Sequence, residues 1–276
     1  MSLNHTPQFI LASDRSILVK FGHEISEEFH QRVFAFTDFV LTNRIKSVVN
    51  IHPAYSSVLF TLDLNADLKA ILSLIKKSWE ASTQTDIPKM RQVEVPVLYG
   101  GKLGKDMDRV SQHTGLNQSE IIQCHEGGLY KVYFTGFSPG FPYIGGMNPS
   151  LNTPRLTTPR KQVPAGTIGI AAEQTGIYPL SSPGGWNLIG QTPIKIFDWH
   201  HPTDLRLRMG DSIKFISVTK EEFDQLKKNV TLNIKNRITD HHSRSWQVWR
   251  CTLGYLRIGC FRQSRYADRK SNGGES

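Results

Sequence analysis

Between Gln174 and Trp186 the chain reads QTGIYPLSSPGGW, thirteen residues with three glycines, two prolines, two large aromatic rings and no charge. Such a stretch cannot be a helix interior, where glycine loses the most backbone entropy and proline has no N–H to donate. It is also too apolar and aromatic for a solvated linker. A chain that carries it has to pack it against a body of its own or against something that the body binds.

The 276 residues allow one large or two ordinary domains, and the periodicity changes twice along them. In residues 1–91, FILAS and SILVKFG read as strands around the turn residues Ser13 and Asp14. SEEFHQRVFAFTDFVLTN follows with helical spacing and Ser26 as N-cap. Two β-rich runs hinge at His52-Pro53, and NADLKAILSLIKKSWEAS puts Leu68, Ile71, Leu72 and Ile75 on one helical face. The order ββαββα predicts an α+β two-layer domain, one sheet covered by two helices. Residues 92–220 begin with Val93, Val95 and Val97 alternating as in a strand. Two short helices follow, the first ended by Gly115 and the second opened by Asn117 and Glu120 as a capping box. Beyond them only strands and turns are expected, which indicates an antiparallel β-barrel or sandwich. Residues 221–276 form a basic tail in which neither period persists; it reads as frameshifted or appended and is expected to be poorly ordered. A basic tail for an acidic partner is the functional alternative.

The formal charge of +9 does not point to nucleic acid. Residues 231–276 hold nine Lys and Arg against three Asp and Glu, which leaves the preceding 230 residues nearly balanced. A footprint on phosphate needs a clustered basic face, so no nucleic-acid partner is expected for the body. No apolar run approaches the roughly 20 residues of a membrane span. The N-terminus lacks the basic and long apolar regions of a signal peptide. The three scattered cysteines make no disulfide framework. Together these predict a cytoplasmic protein with no membrane partner.

Several motifs mislead. GFSPG, Gly136 to Gly140, matches the serine-hydrolase elbow, but that elbow needs the N–H of the residue after the serine, and here it is Pro139. Cys124-His125 are neighbours that do not point the same way, and His200-His201 and His241-His242 lack a third ligand at metal spacing, so no metal is expected. No Walker loop or dinucleotide fingerprint is present. Other features persist. Arg155 and Arg160 each follow a proline in TPRLTTPR, a stiff stretch that could hold two guanidinium forks for a carboxylate or phosphate. Equally, both could cap carbonyls and acids on a barrel rim. Thr167–Ala171 reads as a strand of small residues that lets a backbone or ligand approach closely. Gln174, Tyr178 and Trp186 stand beside it as an amide, a phenol and a flat face, the makings of a walled cleft. For Trp186, packing as barrel core is the favoured reading.

PGFPY, the two PR pairs, VPAG, QTGIYP, SPGGW and IG-x-TP stand in this order between Tyr133 and Asp198. In these motifs the chain resembles the allophanate hydrolase subunit 1 domain family, which includes the B subunit of bacterial 5-oxoprolinase and the sporulation kinase A inhibitor. The likeness extends more weakly to HPAYSSVLF and VPVLYGGKLGKDMDRV and covers about residues 8–220, while the tail has no counterpart. The resemblance implies a cyclophilin-like barrel after the two-layer domain, with the uncharged loop lining a cleft that a partner subunit closes. It implies a non-autonomous component, inactive alone, of an ATP-dependent 5-oxoprolinase that opens 5-oxo-L-proline to L-glutamate. The partners would be a subunit-2-like C subunit and an A subunit, with ATP and Mg2+ used by the assembled complex and none bound by this chain. On this implication His125, Arg155 and Arg160 are the candidate catalytic residues, His125 as proton carrier and the arginines as cations for phosphate and carboxylate. Gln174, Tyr178 and Trp186 line the site of the small amide substrate. The family leaves two alternatives: an inhibitor that binds a sporulation sensor histidine kinase, or a component acting on urea or allophanate.

Overall fold

The computed structural model describes residues 6–85, 90–201 and 205–229. Its first part follows the predicted order: β1 (Gln8–Ser13), β2 (Ser16–Lys20), α1 (Glu27–Asn43), β3 (Val48–Pro53), β4 (Ser57–Leu62) and α2 (Leu68–Ser82). The strands form an antiparallel sheet in the order β1-β2-β4-β3. Register places Ile17 opposite Phe60 and Val19 opposite Val58, so alternate residues of both strands share one face. That face is buried against Val33, Phe36 and Val40 of α1 and Ile71, Ile75 and Trp79 of α2. Phe36 is the hub, with its ring centroid 5.8 Å from Phe60 and 5.7 Å from Trp79. Ser26 caps α1 by accepting the Phe29 N–H at 3.2 Å, and Asp67 caps α2 through the N–H groups of Lys69 and Ala70.

The second part continues with β5 (Gln92–Tyr99), α3 (Met107–Thr114) and α4 (Gln118–Glu126). Gly115 ends α3 at φ 76°, the left-handed conformation glycine adopts without steric cost, and Asn117 with Glu120 forms a reciprocal capping box on α4. The strands that follow are β6 (Tyr130–Thr135), β7 (Pro142–Gly145), β8 (Arg160–Val163), β9 (Thr167–Ala171), β10 (Gln174–Ile177), β11 (Ser182–Gly184), β12 (Asn187–Gln191) and β13 (Ser212–Ser217). Six of them and β5 close into a barrel in the order β10-β7-β6-β13-β5-β12-β9, with β8 and β11 paired outside it. Val97, Val132, Ile144, Ile168, Ile170, Ile177 and Phe215 fill the interior, and Met107, Val110 and Ile121 of α3 and α4 join this core.

Two expectations are corrected. The barrel is not wholly antiparallel, because β13 runs parallel to β5 over six register pairs, Ser212↔Gln92 to Ser217↔Val97. A parallel pair needs a long connection, and here the whole barrel lies between the two strands. The tail does not start without structure: residues 220–229 are helical. We label this helix α5. Thr219 accepts the Glu222 N–H at 3.2 Å while Glu222 Oε2 accepts the Thr219 N–H at 2.8 Å, and Phe223 is buried. That capping box, followed by Phe223 and Leu226, was legible in the sequence. The remainder of the expected tail, 230–276, with His241-His242, lies outside the described residues.

Aromatic rings join the two parts. His30 of α1 meets Tyr133 of β6 edge-on at 4.6 Å, and Lys131 of β6 pairs with Glu27 of α1. Tyr55, in the turn between β3 and β4, reaches Tyr133 and Phe134 at 5.2 and 4.8 Å.

Candidate functional site

The motif segments converge where β7 and β10 pair, with Thr175 opposite Ile144 and Gly176 opposite Tyr143. Thr175 and Ile144 point into the barrel, so Tyr143, Gln174 and Gly176 face outward. Gly176 is bare because a Cβ there would stand 2.9 Å from Trp186 Cζ3 and 3.0 Å from Phe141 Cζ. At Gly169 a Cβ would stand 3.0 Å from Trp186 Cβ. The small residues therefore seat the Trp186 ring rather than a ligand or a second backbone. In the same way Gly184 leaves room for the Tyr178 hydroxyl, 2.2 Å from where its Cβ would be. Phe141 packs edge-on against Tyr178 and Trp186 at 5.4 and 5.6 Å. The glycine- and proline-rich run is thus a packed wall whose glycines fit its own two aromatic rings.

Tyr178 is 1% exposed and lies too deep to touch a ligand. Burial raises its pKa, while a hydrogen bond from the Trp186 backbone and the charges of Arg155 and Arg160 act against that rise. Trp186 is 6% exposed and belongs to the wall, with only its rim available. Both were named as lining the substrate site, with core packing favoured for Trp186; the structure buries both side chains in the wall.

Arg155 stands in front of this wall. An isolated bridge between Thr153 and Ala172 and the Leu156 N–H···O=C bond to Gly185, 2.8 Å, fix its backbone on either side. The side chain is exposed, its guanidinium carbon 5.7 Å from the Trp186 ring centroid, and it forms no ion pair among the described residues. Its charge reaches three phenols. Burial raises the pKa of Tyr55, with smaller contributions from Tyr143 and Tyr133, and Arg155 opposes the rise. Burial also raises Tyr143, and Arg155 again opposes it. Tyr143 stacks on Phe134 at 4.5 Å, 6.3 Å from the Tyr55 ring. Gln174 donates its amide N–H to the Tyr55 hydroxyl. The result is an aromatic cluster that brings together one guanidinium, one amide and one phenol; we call this place the recess. Tyr55, Phe134 and Tyr143 were not singled out from the sequence, although Tyr143 lies in PGFPY and Tyr55 in HPAY.

The other two candidate residues are placed elsewhere. Arg160, on β8, donates to Asp106 Oδ1 at 2.5 Å and to the Trp186 carbonyl at 3.4 Å. Asp106 is 8% exposed on its side chain, and its Oδ2 accepts the Leu188 N–H at 2.7 Å. The Arg160 fork is therefore committed to holding the β8–β11 hairpin against the barrel, which corrects its reading as a free cation for phosphate. Substituting Arg160→Ala leaves a buried carboxylate without its cation, so thermal unfolding should show a loss of about 2 kcal/mol. An unchanged melting temperature would remove this structural role.

His125 is fully buried inside the barrel and does not reach the recess. The Thr175 hydroxyl donates to the Gly169 carbonyl at 3.2 Å, so His125 Nε2–H donates to Thr175 at 3.0 Å, and Nδ1 accepts from the Tyr99 hydroxyl at 2.7 Å. Every polar atom of this chain of hydrogen bonds is satisfied with a neutral imidazole, and burial lowers the His125 pKa to about 3. A proton carrier needs access and a pKa near the working pH; His125 has neither. GFSPG turns through Ser138 into β7 with no helix after it, as expected from Pro139. Among the described residues no group of three His, Cys, Asp or Glu side chains could hold a metal ion. A surface depression of about 610 Å³ lies on the first domain, lined by Gln8, Lys20, Phe21, Gly22, His23 and Phe29 among others, and includes none of the motif residues.

The carboxyltransferase domain, subdomain C and D, is the family whose sequence pattern matches residues 7–206. The chain is 34% identical over 226 residues to the B subunit of 5-oxoprolinase from Bacillus subtilis, covering 78% of this chain and 94% of that protein. It is 44% identical over 154 residues to the B subunit of 5-oxoprolinase from Haemophilus influenzae, covering 56% and 72%. The crystal structure of TTHA0988 is similar with a TM-score of 0.66 at 34% identity, over 74% of this chain and 40% of that one. This chain thus spans about two fifths of that larger protein.

Proposed function

The chain belongs to the family of carboxyltransferase subdomains C and D, and from that premise we propose that it is the B subunit of an ATP-dependent 5-oxoprolinase. In that complex 5-oxo-L-proline is opened to L-glutamate, and this chain contributes part of the substrate site rather than a complete enzyme. The observation that carries the reading is the position of Arg155. A guanidinium with no ion-pair partner among the described residues, set against an aromatic wall, suits a small, planar, carboxylate-bearing molecule. The wall covers a flat ring, and the fork takes the carboxylate.

Arg155 is exposed, so a second protein has to cover it before water is excluded. A subunit-2-like C subunit and an A subunit are the proposed partners. Opening an unstrained lactam requires activation of its amide oxygen, and ATP with Mg2+ supplies that chemistry to the assembled complex. This chain's residues are poorly suited to hold the nucleotide: no glycine-rich phosphate loop is present, and the Arg160 fork is occupied by Asp106. No described helix is long and apolar enough to cross a membrane. A cytoplasmic location, where ATP is available, fits the proposed reaction.

The test is co-expression with the C and A subunits, followed by an ATP-dependent assay on 5-oxoproline. Glutamate should form only when all three are present. A well-formed complex that releases none would overturn this reading in favour of another small amide such as urea or allophanate. A chain that ignores both subunits and captures a histidine kinase would overturn it in favour of kinase inhibition.

A further inference from the structure

Tyr55 belongs to the first domain, whereas Phe134, Tyr143, Arg155 and Gln174 belong to the second. The contact of Tyr55 itself with the second domain is polar at one atom only. Gln174 Nε2 donates to the Tyr55 hydroxyl oxygen, while the Tyr55 ring is held by Phe134, Tyr133 and Tyr143. The pairing leaves three groups unspent among the described hydrogen bonds: the Tyr55 O–H proton, the second N–H of the Gln174 amide and the Gln174 carbonyl oxygen. The Gln174 amide and the Tyr55 hydroxyl are thus direct neighbours, and the hydroxyl can rotate its proton to suit a ligand. Tyr55 stays protonated, since burial raises its pKa, so it serves as a donor and not as an anion.

A donor beside an acceptor is complementary to one particular edge. A secondary amide in the cis arrangement, which only a small lactam ring imposes, shows its C=O and N–H side by side, whereas a trans amide points them in opposite directions. We propose that Tyr55 and Gln174 together read the lactam edge of the substrate, Tyr55 O–H donating to the ring carbonyl and Gln174 Oε1 accepting from the ring N–H. Arg155 then takes the carboxylate on the neighbouring carbon. This inference rests on the 5-oxoprolinase reading and adds to it the groups that select a cyclic amide over an open one. It also gives the first domain a reason to be docked on the barrel: Tyr55 supplies the donor proposed for the ring carbonyl. A site built to hydrogen-bond a substrate group discriminates far better than an apolar pocket, because the wrong ligand leaves buried polar groups unpaired.

The experiment uses the complete complex of the three subunits and measures kcat and KM for 5-oxoproline with wild type, Tyr55→Phe and Gln174→Leu. Tyr55→Phe keeps the ring and its aromatic contacts and removes only the hydroxyl. Both variants should raise KM about tenfold or more, as expected for one lost hydrogen bond to substrate of roughly 1.4 kcal/mol. Their melting temperatures should stay within a few degrees of wild type. The affinity of 2-pyrrolidinone, the same lactam without its carboxylate, should fall by the same factor as a competitive inhibitor, since it presents the same edge. Wild-type KM in Tyr55→Phe, in a complex that turns over 5-oxoproline, would overturn the lactam-edge assignment alone. No turnover in the wild-type complex would overturn the 5-oxoprolinase reading and this inference with it. A raised KM for 5-oxoproline with unchanged 2-pyrrolidinone affinity would place Tyr55 on the carboxylate and also overturn the assignment.

Discussion

Replacing Arg155 by alanine should lower kcat/KM for 5-oxoproline in the assembled complex about hundredfold and leave the melting temperature of the chain unchanged. The first half follows from charge: a bidentate guanidinium–carboxylate contact in a covered site is worth roughly 2–3 kcal/mol, which is one to two orders of magnitude in rate. The second half follows from exposure. Arg155 contributes no ion pair to the fold among the described residues, and its close partner is the face of Trp186, which stays packed by Phe141 and the flanking glycines. Selectivity sharpens the expectation. Wild type should prefer 5-oxoproline strongly over 2-pyrrolidinone, whereas Arg155→Ala should treat the two alike, because the group that distinguishes them is gone. Lysine at this position should recover only part of the loss, since a point charge cannot reproduce the planar fork. An Arg155→Ala complex with wild-type kcat/KM would remove Arg155 from the substrate site. A complex that loses activity together with its melting temperature would show that the residue holds the wall instead.

Stability should fall steeply below pH 6.5, and the cause lies in two histidines far from the recess. His125 and His30 are both fully buried, with pKa values lowered to about 3 and about 4. For His125 the cause is burial. For His30 burial comes first and the Lys131 ammonium adds to it, while Glu27 works in the opposite direction. Above pH 6.5 each imidazole is neutral in both folded and unfolded chains, so neither affects stability. As pH falls, the unfolded chain takes up the protons first, and each histidine then weakens the fold by about 1.4 kcal/mol per pH unit until its folded pKa is reached. Between pH 6.5 and 4 the two together should remove on the order of 6 kcal/mol, enough to unfold an ordinary domain. His30 offers the cleaner test, because neither of its ring nitrogens has a hydrogen-bond partner and its ring lies against Phe34 and Tyr133. His30→Phe should hold its stability at pH 7 and lose about 3 kcal/mol less than wild type between pH 7 and pH 4, read by urea unfolding at the two values. Identical pH dependence in the two proteins would exclude His30 as a source of the acid sensitivity.

The histidine and arginine placements mark where reading the chain residue by residue stops. His125 lies in the last turn of α4, and in the sequence it is a polar residue beside a cysteine; nothing local reveals that Tyr99 of β5 and Thr175 of β10 meet it. Arg160 and Arg155 look alike, each after a proline in one short stretch. Only the position of Asp106, 54 residues earlier, separates the committed fork from the other one. For Trp186 the sequence favours a place in the core, because a large ring between glycines is most simply explained by packing; Gly169 and Gly176 leave the room that its side chain occupies.

By itself, the sequence determined the elements and their ends: the ββαββα order, the caps at Ser26 and Asn117, the stop at Gly115, and the run from Gln174 to Trp186 that had to fold as something other than helix. These are settled by hydrogen bonds and dihedral preferences among residues a few positions apart, so they are written locally. The tertiary structure alone decided which polar groups meet. The recess depends on Tyr55 reaching Gln174 across 119 positions, on barrel register turning Tyr143 outward, and on Asp106 removing one arginine from play. Contacts of that kind are fixed by strand pairing and domain docking, energies summed over the whole chain, and no stretch of a dozen residues contains them.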